Sequence, residues 1–159
     1  MIPTGVQQFM LGTALNNETQ ARQTLAALKN AGYTGIELCG FMVHPTGLMV
    51  RLLTRAAGMP TGNGGKLDWH KLVRESGLSV VSLHTDLGSV ERDAAAVAAE
   101  AKSFGTNYVV ITGMYRFAYA DAAAWHDLAK HLNKAGAALA EQGVQLLYHN
   151  HNRELQAQF

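Results

Sequence analysis

Six ionisable side chains in this sequence have the types and spacing of a reactive site: Glu37, His84, Asp86, His149, His151 and Glu154. Histidine changes charge near neutral pH and carboxylates are its common partners, so the set suits general acid–base catalysis or coordination of a divalent metal. Glu37 sits in the apolar run Gly35-Ile36-Glu37-Leu38-Cys39, where a carboxylate is rarely buried without a partner. His84 closes the run Leu78 to His84 and is followed by Thr85 and Asp86. His149 and His151 belong to Tyr148-His149-Asn150-His151-Asn152-Arg153-Glu154. If that segment is extended, its period of two puts both imidazoles on one face and Tyr148 and Asn150 on the other. Each residue also has a purely structural reading: an ion pair for Glu37, a loop cap for His84, a helix-start acid for Glu154. His44, His70, His126 and His131 read as loop or surface histidines.

Elements that would position these groups follow from the hydrophobic pattern. Short apolar runs alternate with segments whose apolar residues recur every three or four positions. The strands are expected at Val6–Leu11, Gly35–Cys39, Leu78–His84, Tyr108–Thr112 and Val144–His149. Helices between them carry Ala21, Leu25 and Leu28; then Val90, Ala94, Val97, Ala101 and Phe104; then Trp125, Leu128, Leu132, Ala135 and Leu139. Asn16 or Asn17 caps the first, and a helix begins near Asp121. Pro45, Pro60 and Thr61-Gly62-Asn63-Gly64-Gly65 break the chain between two short helices. Gly32, Gly77, Gly105 and Gly143 each stand between a helix and the next strand, where a residue at positive φ is needed and glycine adopts it without a Cβ penalty.

Four such joints predict consecutive parallel strands with right-handed crossovers. The strands are nearly all apolar, as parallel strands covered on both faces are. Two α/β architectures fit: a flavodoxin-like doubly wound sheet, or part of a (β/α)₈ barrel. In either one, ligands bind at the carboxyl ends of the strands, where Glu37, His84, Asp86, His149 and His151 fall.

The composition excludes several classes. The 159 residues are 48% hydrophobic with only 3 Pro, which rules out a disordered or low-complexity chain and fits one domain over residues 1–159. A net charge of +1, from 13 basic and 12 acidic residues, provides no footprint for nucleic acid or an anionic membrane. A single cysteine, Cys39, the absence of a signal-peptide pattern at Met1 to Thr13 and the absence of a long apolar run predict a cytoplasmic protein. Serine-hydrolase and P-loop motifs are missing, and Gly12 to Thr19 only faintly echoes a flavin phosphate loop.

The run Tyr148-His149-Asn150-His151-Asn152-Arg153-Glu154 resembles the YHNHxxE signature that ends the fifth strand in sugar phosphate isomerase/epimerases of the xylose-isomerase-like TIM-barrel superfamily. Gly5-Val6-Gln7-Gln8, Gly35-Ile36-Glu37-Leu38 and Gly77 to His84 match in order. This resemblance implies a partial (β/α)₈ TIM barrel of about five parallel strands and four or five helices, with the flavodoxin-like sheet as the alternative. It further implies a divalent metal (Mn, Mg, Co or Zn) and proton abstraction next to a carbonyl of a sugar or sugar phosphate. His149 stands where the epimerases usually carry an acid. On this analogy Glu37, His84 and His149 are catalytic, His151, Asn150 and Gln8 contact the sugar, and Glu154 binds the metal. The chain is expected to be truncated after strand five, and to act as a homo-oligomer or with a C-terminal segment that completes it. Rival readings are a flavin-binding module near Thr13 and Asn16, a metal-dependent endonuclease of the same superfamily, and an interaction scaffold.

Overall fold

The computed structural model describes residues 3–45, 47–49, 52, 56, 66–112 and 117–156. Its strands are β1 (Gly5–Gln7), β2 (Gly35–Cys39), β3 (Ser79–Thr85), β4 (Tyr108–Thr112) and β5 (Gln145–His149). The helices are α1 (Glu18–Asn30), α2 (Gly40–Val43), α3 (Trp69–Ser76), α4 (Leu87–Arg92), α5 (Ala94–Ser103) and α6 (Ala122–Glu141), with 3₁₀ segments at Gln8–Leu15 and Asn152–Leu155. No helix among the described residues is long and apolar enough to cross a membrane. The chain forms two compact units, Met1–Leu83 and His84–Phe159, and their boundary falls inside β3.

In the first unit, β1 and β2 pair in parallel with Gly5 opposite Gly35 and Gln7 opposite Glu37. β3 lies beside β2, since the Ser79 N–H donates to the Thr34 carbonyl at 3.0 Å. A flavodoxin-like sheet would place β1 between these two strands, so that alternative falls. The strand order is β1-β2-β3-β4-β5, as in a TIM barrel, and the five-stranded parallel α/β reading holds. Leu15, Ala21, Leu25, Ile36 and Leu38 form the core of this unit. In the second unit, β4 and β5 pair in parallel, with Thr112 opposite His149. Val109 and Ile111 of β4 and Leu128, Ala135 and Leu139 of α6 are buried in this unit.

All four predicted αβ joints are present: Gly32, Gly77, Gly105 and Gly143 have φ of 93°, 68°, 79° and 67°. Asn17 caps α1 by accepting from the Gln20 N–H, and Asp121 caps α6 by accepting from the Ala123 N–H. Two expectations are corrected. β1 ends at Gln7 rather than Leu11 because the Gln8 side chain turns inward and the chain winds into a 3₁₀ segment, kinked at Gly12 with φ 50°. The helix expected to run unbroken from Val90 to Phe104 is two, divided at Asp93. There the backbone leaves the helical region (φ −157°, ψ 81°) and the side chain accepts from the Ala96 N–H to start α5. Pro60 and residues 61–65 lie outside the described residues.

Gly35 is fixed by close approach rather than by φ. A Cβ there would collide with Val81 Cγ1 and stand 3.2 Å from the Ser79 carbonyl. Gly35→Ala is expected to destabilise the chain by about 1–3 kcal/mol, lowering Tm by about 2–4 °C per kcal/mol. Adding Val81→Ala should recover part of the loss, as scanning calorimetry of the single and double variants would reveal.

Candidate active site

In the first unit the polar centre is Glu37. Its neighbours Ile36 and Leu38 are fully buried and hold β2 in place, while Glu37 itself is half-buried. Gln7 Nε2 donates to Glu37 Oε1 at 2.6 Å, and Ser82 Oγ donates to Oε2 at 2.6 Å. Each carboxylate oxygen therefore has a neutral donor from a flanking strand, which orients the group and lowers the penalty of burying its charge. Neither Gln7 nor Ser82 stands out in the sequence. The signal was available in principle, since Gln7 falls opposite Glu37 in the β1–β2 register and Ser82 interrupts an apolar strand.

Gln8, expected at a sugar, is fully buried instead. Its Oε1 accepts from the Cys39 N–H at 2.6 Å and its Nε2 has no partner among the described residues, so the side chain ties the ends of β1 and β2 together. The Cys39 thiol is pushed up to about 12, chiefly by burial, and at neutral pH it is no nucleophile.

The second unit gathers the histidines. The rings of His84 and His149 meet edge to face with centroids 5.7 Å apart, and those of His149 and His151 stack at 4.8 Å. The period of two in β5 thus brings residues 149 and 151 to one side. Beyond β5 the chain enters the 3₁₀ segment Asn152–Leu155, capped by a reciprocal box between His151 and Glu154. Glu154 Oε2 accepts from the His151 N–H and Oε1 from the Tyr148 hydroxyl, both at 3.1 Å. Glu154, expected as a metal ligand, is engaged through both oxygens in this cap. Asn150 is exposed and its amide reaches only weakly, 3.5 Å, to the His151 carbonyl. Asp86 caps α4 by accepting from the Ser89 N–H and hydroxyl. Of the four remaining histidines, His131 is exposed and pairs with Glu91, which raises its pKa.

Glu37, His84 and His149 each offer one ligand atom to a metal. Imidazole nitrogen suits Zn or Co, whereas carboxylate oxygen suits Mg or Mn. In the second unit, Phe117, Tyr119 and Trp125 pack edge to face, with centroids 4.7 to 5.7 Å apart. Trp125 Nε1 donates to the Tyr119 carbonyl. Tyr115, grouped with these rings in the sequence, lies outside the described residues.

Residues 25–158 match the Xylose isomerase-like TIM barrel family. The chain belongs to that family. Among solved structures it resembles a sugar phosphate isomerase/epimerase from Parabacteroides distasonis ATCC 8503, at TM-score 0.67 and 20% identity over 94% of this chain and 51% of that one. A second such protein from the same organism gives 0.63 and 19%, covering 94% and 55%. A xylose isomerase domain protein from Alicyclobacillus acidocaldarius gives 0.52 and 13%, covering 99% and 54%. The chain thus spans about half the length of the structures it resembles, and at these identities the likeness concerns the fold. No curated protein matches the sequence.

Burial first, and then the bond to Glu154, push the Tyr148 hydroxyl up to about 12, above the ordinary phenol value. A phenol whose pKa is raised by folding contributes stability that is complete below the unfolded value and is lost as pH climbs through the folded one. Between pH 10 and 12, urea midpoints of the wild type should therefore fall more steeply than those of Tyr148→Phe. Equal slopes would show that Tyr148 is neither buried nor bonded to Glu154 in solution as it is here.

Proposed function

We propose that these residues form the N-terminal part of a sugar or sugar phosphate isomerase/epimerase, folding as one domain over residues 1–159. The observation that carries this reading is the His84–His149 contact in one unit and the doubly held Glu37 carboxylate in the other. β3 links them: Ser82, which bonds Glu37, is two residues before His84 on one strand, and alternation places these two on one face. In this reading Glu37, His84 and His149 hold a divalent metal, and Gln7 and Ser82 orient its carboxylate ligand. Glu37, His84 and His149, expected from the family resemblance as catalytic residues, thus act as ligands.

When bound, such a metal polarises a carbonyl and offsets the charge of an enediolate. His151, exposed and stacked on His149, moves the proton. Its neutral imidazole nitrogen takes the proton from the carbon next to the carbonyl, and the C–H electron pair becomes the enediolate double bond. Return of that proton to the neighbouring carbon, with the hydroxyl proton passing from one enediolate oxygen to the other, completes an isomerisation; an epimerisation needs a second acid across the substrate. The Asn150 amide donates to a sugar hydroxyl. The near-balanced charge of +1 favours a sugar over a polyanionic nucleic acid. The chain works in the cytoplasm, as a homo-oligomer or with strands that complete the barrel.

Cobalt(II) titration followed by visible absorption tests the ligand set on the chain as it stands. Wild type should develop d–d bands. Glu37→Gln should lose them, and Ser82→Ala should weaken cobalt affinity about 10- to 100-fold. In parallel, NMR should detect deuterium entering a ketose beside its carbonyl, a signal that His151→Gln removes. Cobalt affinity unchanged in Glu37→Gln would overturn the ligand assignment, and exchange unchanged in His151→Gln the assignment of the proton carrier.

A further inference from the structure

Arg153 is the fourth residue after His149 and occupies the 3₁₀ segment that follows β5. Its guanidinium carbon lies 5.8 Å from the centroid of the Tyr119 ring, within the range of cation–π attraction. Tyr119 is itself fixed from behind. Its ring packs at 5.2 Å on Phe117 and 5.7 Å on Trp125, and its carbonyl accepts from the Trp125 indole. From the other side, the Glu154 cap holds the segment that carries Arg153. Glu154 is taken up by Tyr148 and the His151 N–H and forms no ion pair with the neighbouring Arg153. Among the described residues no carboxylate pairs with Arg153, whereas Arg22 pairs with both Glu18 and Glu75.

An exposed arginine ordinarily roams. This one is held over a ring, and no acid among the described residues pairs with its five N–H donors. Such a planar fork matches an oxyanion in two-point fashion. We propose that Arg153, positioned by Tyr119, is a specificity-determining residue that recognises an anionic substituent on the sugar, a phosphate or a carboxylate. The inference rests on the reading that the end of β5 binds a carbohydrate.

Trp125 provides a built-in reporter, since its ring touches Tyr119. With the chain labelled with 5-fluorotryptophan, ¹⁹F NMR titrations would use a ketose phosphate, a sugar acid and the parent neutral ketose. Wild type should bind at least one anionic sugar more tightly than the neutral ketose, and the stronger of the two identifies the anion. Arg153→Gln should weaken that ligand about 10- to 100-fold and leave the neutral ketose unchanged. Arg153→Lys should fall between, with a stronger dependence on salt, and Tyr119→Leu should weaken the anion without removing the charge. Circular dichroism checks that the variants stay folded. Equal weakening of anionic and neutral sugars, or no preference for an anion in wild type, would overturn the proposal. Its failure is separable from that of the isomerase reading, because Glu37→Gln and His151→Gln affect metal uptake and exchange whichever sugar is preferred.

Discussion

A carboxylate placed inside an apolar parallel strand sets the terms for the first unit. Glu37 lies between two fully buried residues, Ile36 and Leu38, and neither can satisfy a charge. The burden falls on the flanking strands, and each supplies one donor: Gln7 from β1 and Ser82 from β3. The same bonds that make the charge tolerable therefore cross-link three strands through their side chains, in addition to the backbone ladder. Gly35, two residues earlier on β2, fits the same arrangement, because Val81 of β3 occupies the space its side chain would need. A buried acid with both oxygens bonded is rigid, and rigidity is what a ligand or base needs if it is to act without reorganising.

The second unit solves a different problem, how to end β5 without losing control of the side chains at its tip. A strand that runs into solvent leaves its last residues free to turn. Here the Glu154 carboxylate reaches back to the His151 N–H and to the Tyr148 hydroxyl. Those two groups bracket His149 and Asn150 in sequence, so the cap fixes the segment from both ends. The Tyr148 phenol, its pKa raised by burial and by this bond, stays a protonated donor well above neutral pH. The stacked imidazoles of residues 149 and 151 are then presented by a backbone that has little freedom left.

Much of the fold was legible because it depends on local chemistry. The αβ joints were readable since positive φ selects glycine, and β2 and β4 were placed residue for residue because apolar runs bounded by turn signals are unambiguous. Where tertiary contacts compete, the pattern misled. The apolar period continues unchanged through Asp93, and only its side-chain bond to the Ala96 N–H reveals the break. Val6 to Leu11 looks like one strand, yet Gln8 is drawn inward by the Cys39 N–H thirty-one positions away. The ionisable residues stand out by type, whereas Gln7 and Ser82 become visible only through register. Sequence position alone could not separate Gln7 from Gln8.

The ends of parallel strands carry two tasks at once, turning the chain and meeting a ligand, and the residues here divide between them by reach. Asp86 and Glu154 have short paths to backbone N–H groups of the segment just begun, and both are engaged as caps. Glu37 is held across the sheet by Gln7 and Ser82. The imidazoles contact one another, and the guanidinium of Arg153 rests on a ring. What distinguishes the groups left for chemistry is therefore not their charge but the kind of support they have. Caps are bonded to the backbone they terminate, whereas Glu37 is oriented by neutral side-chain donors and the rings by packing.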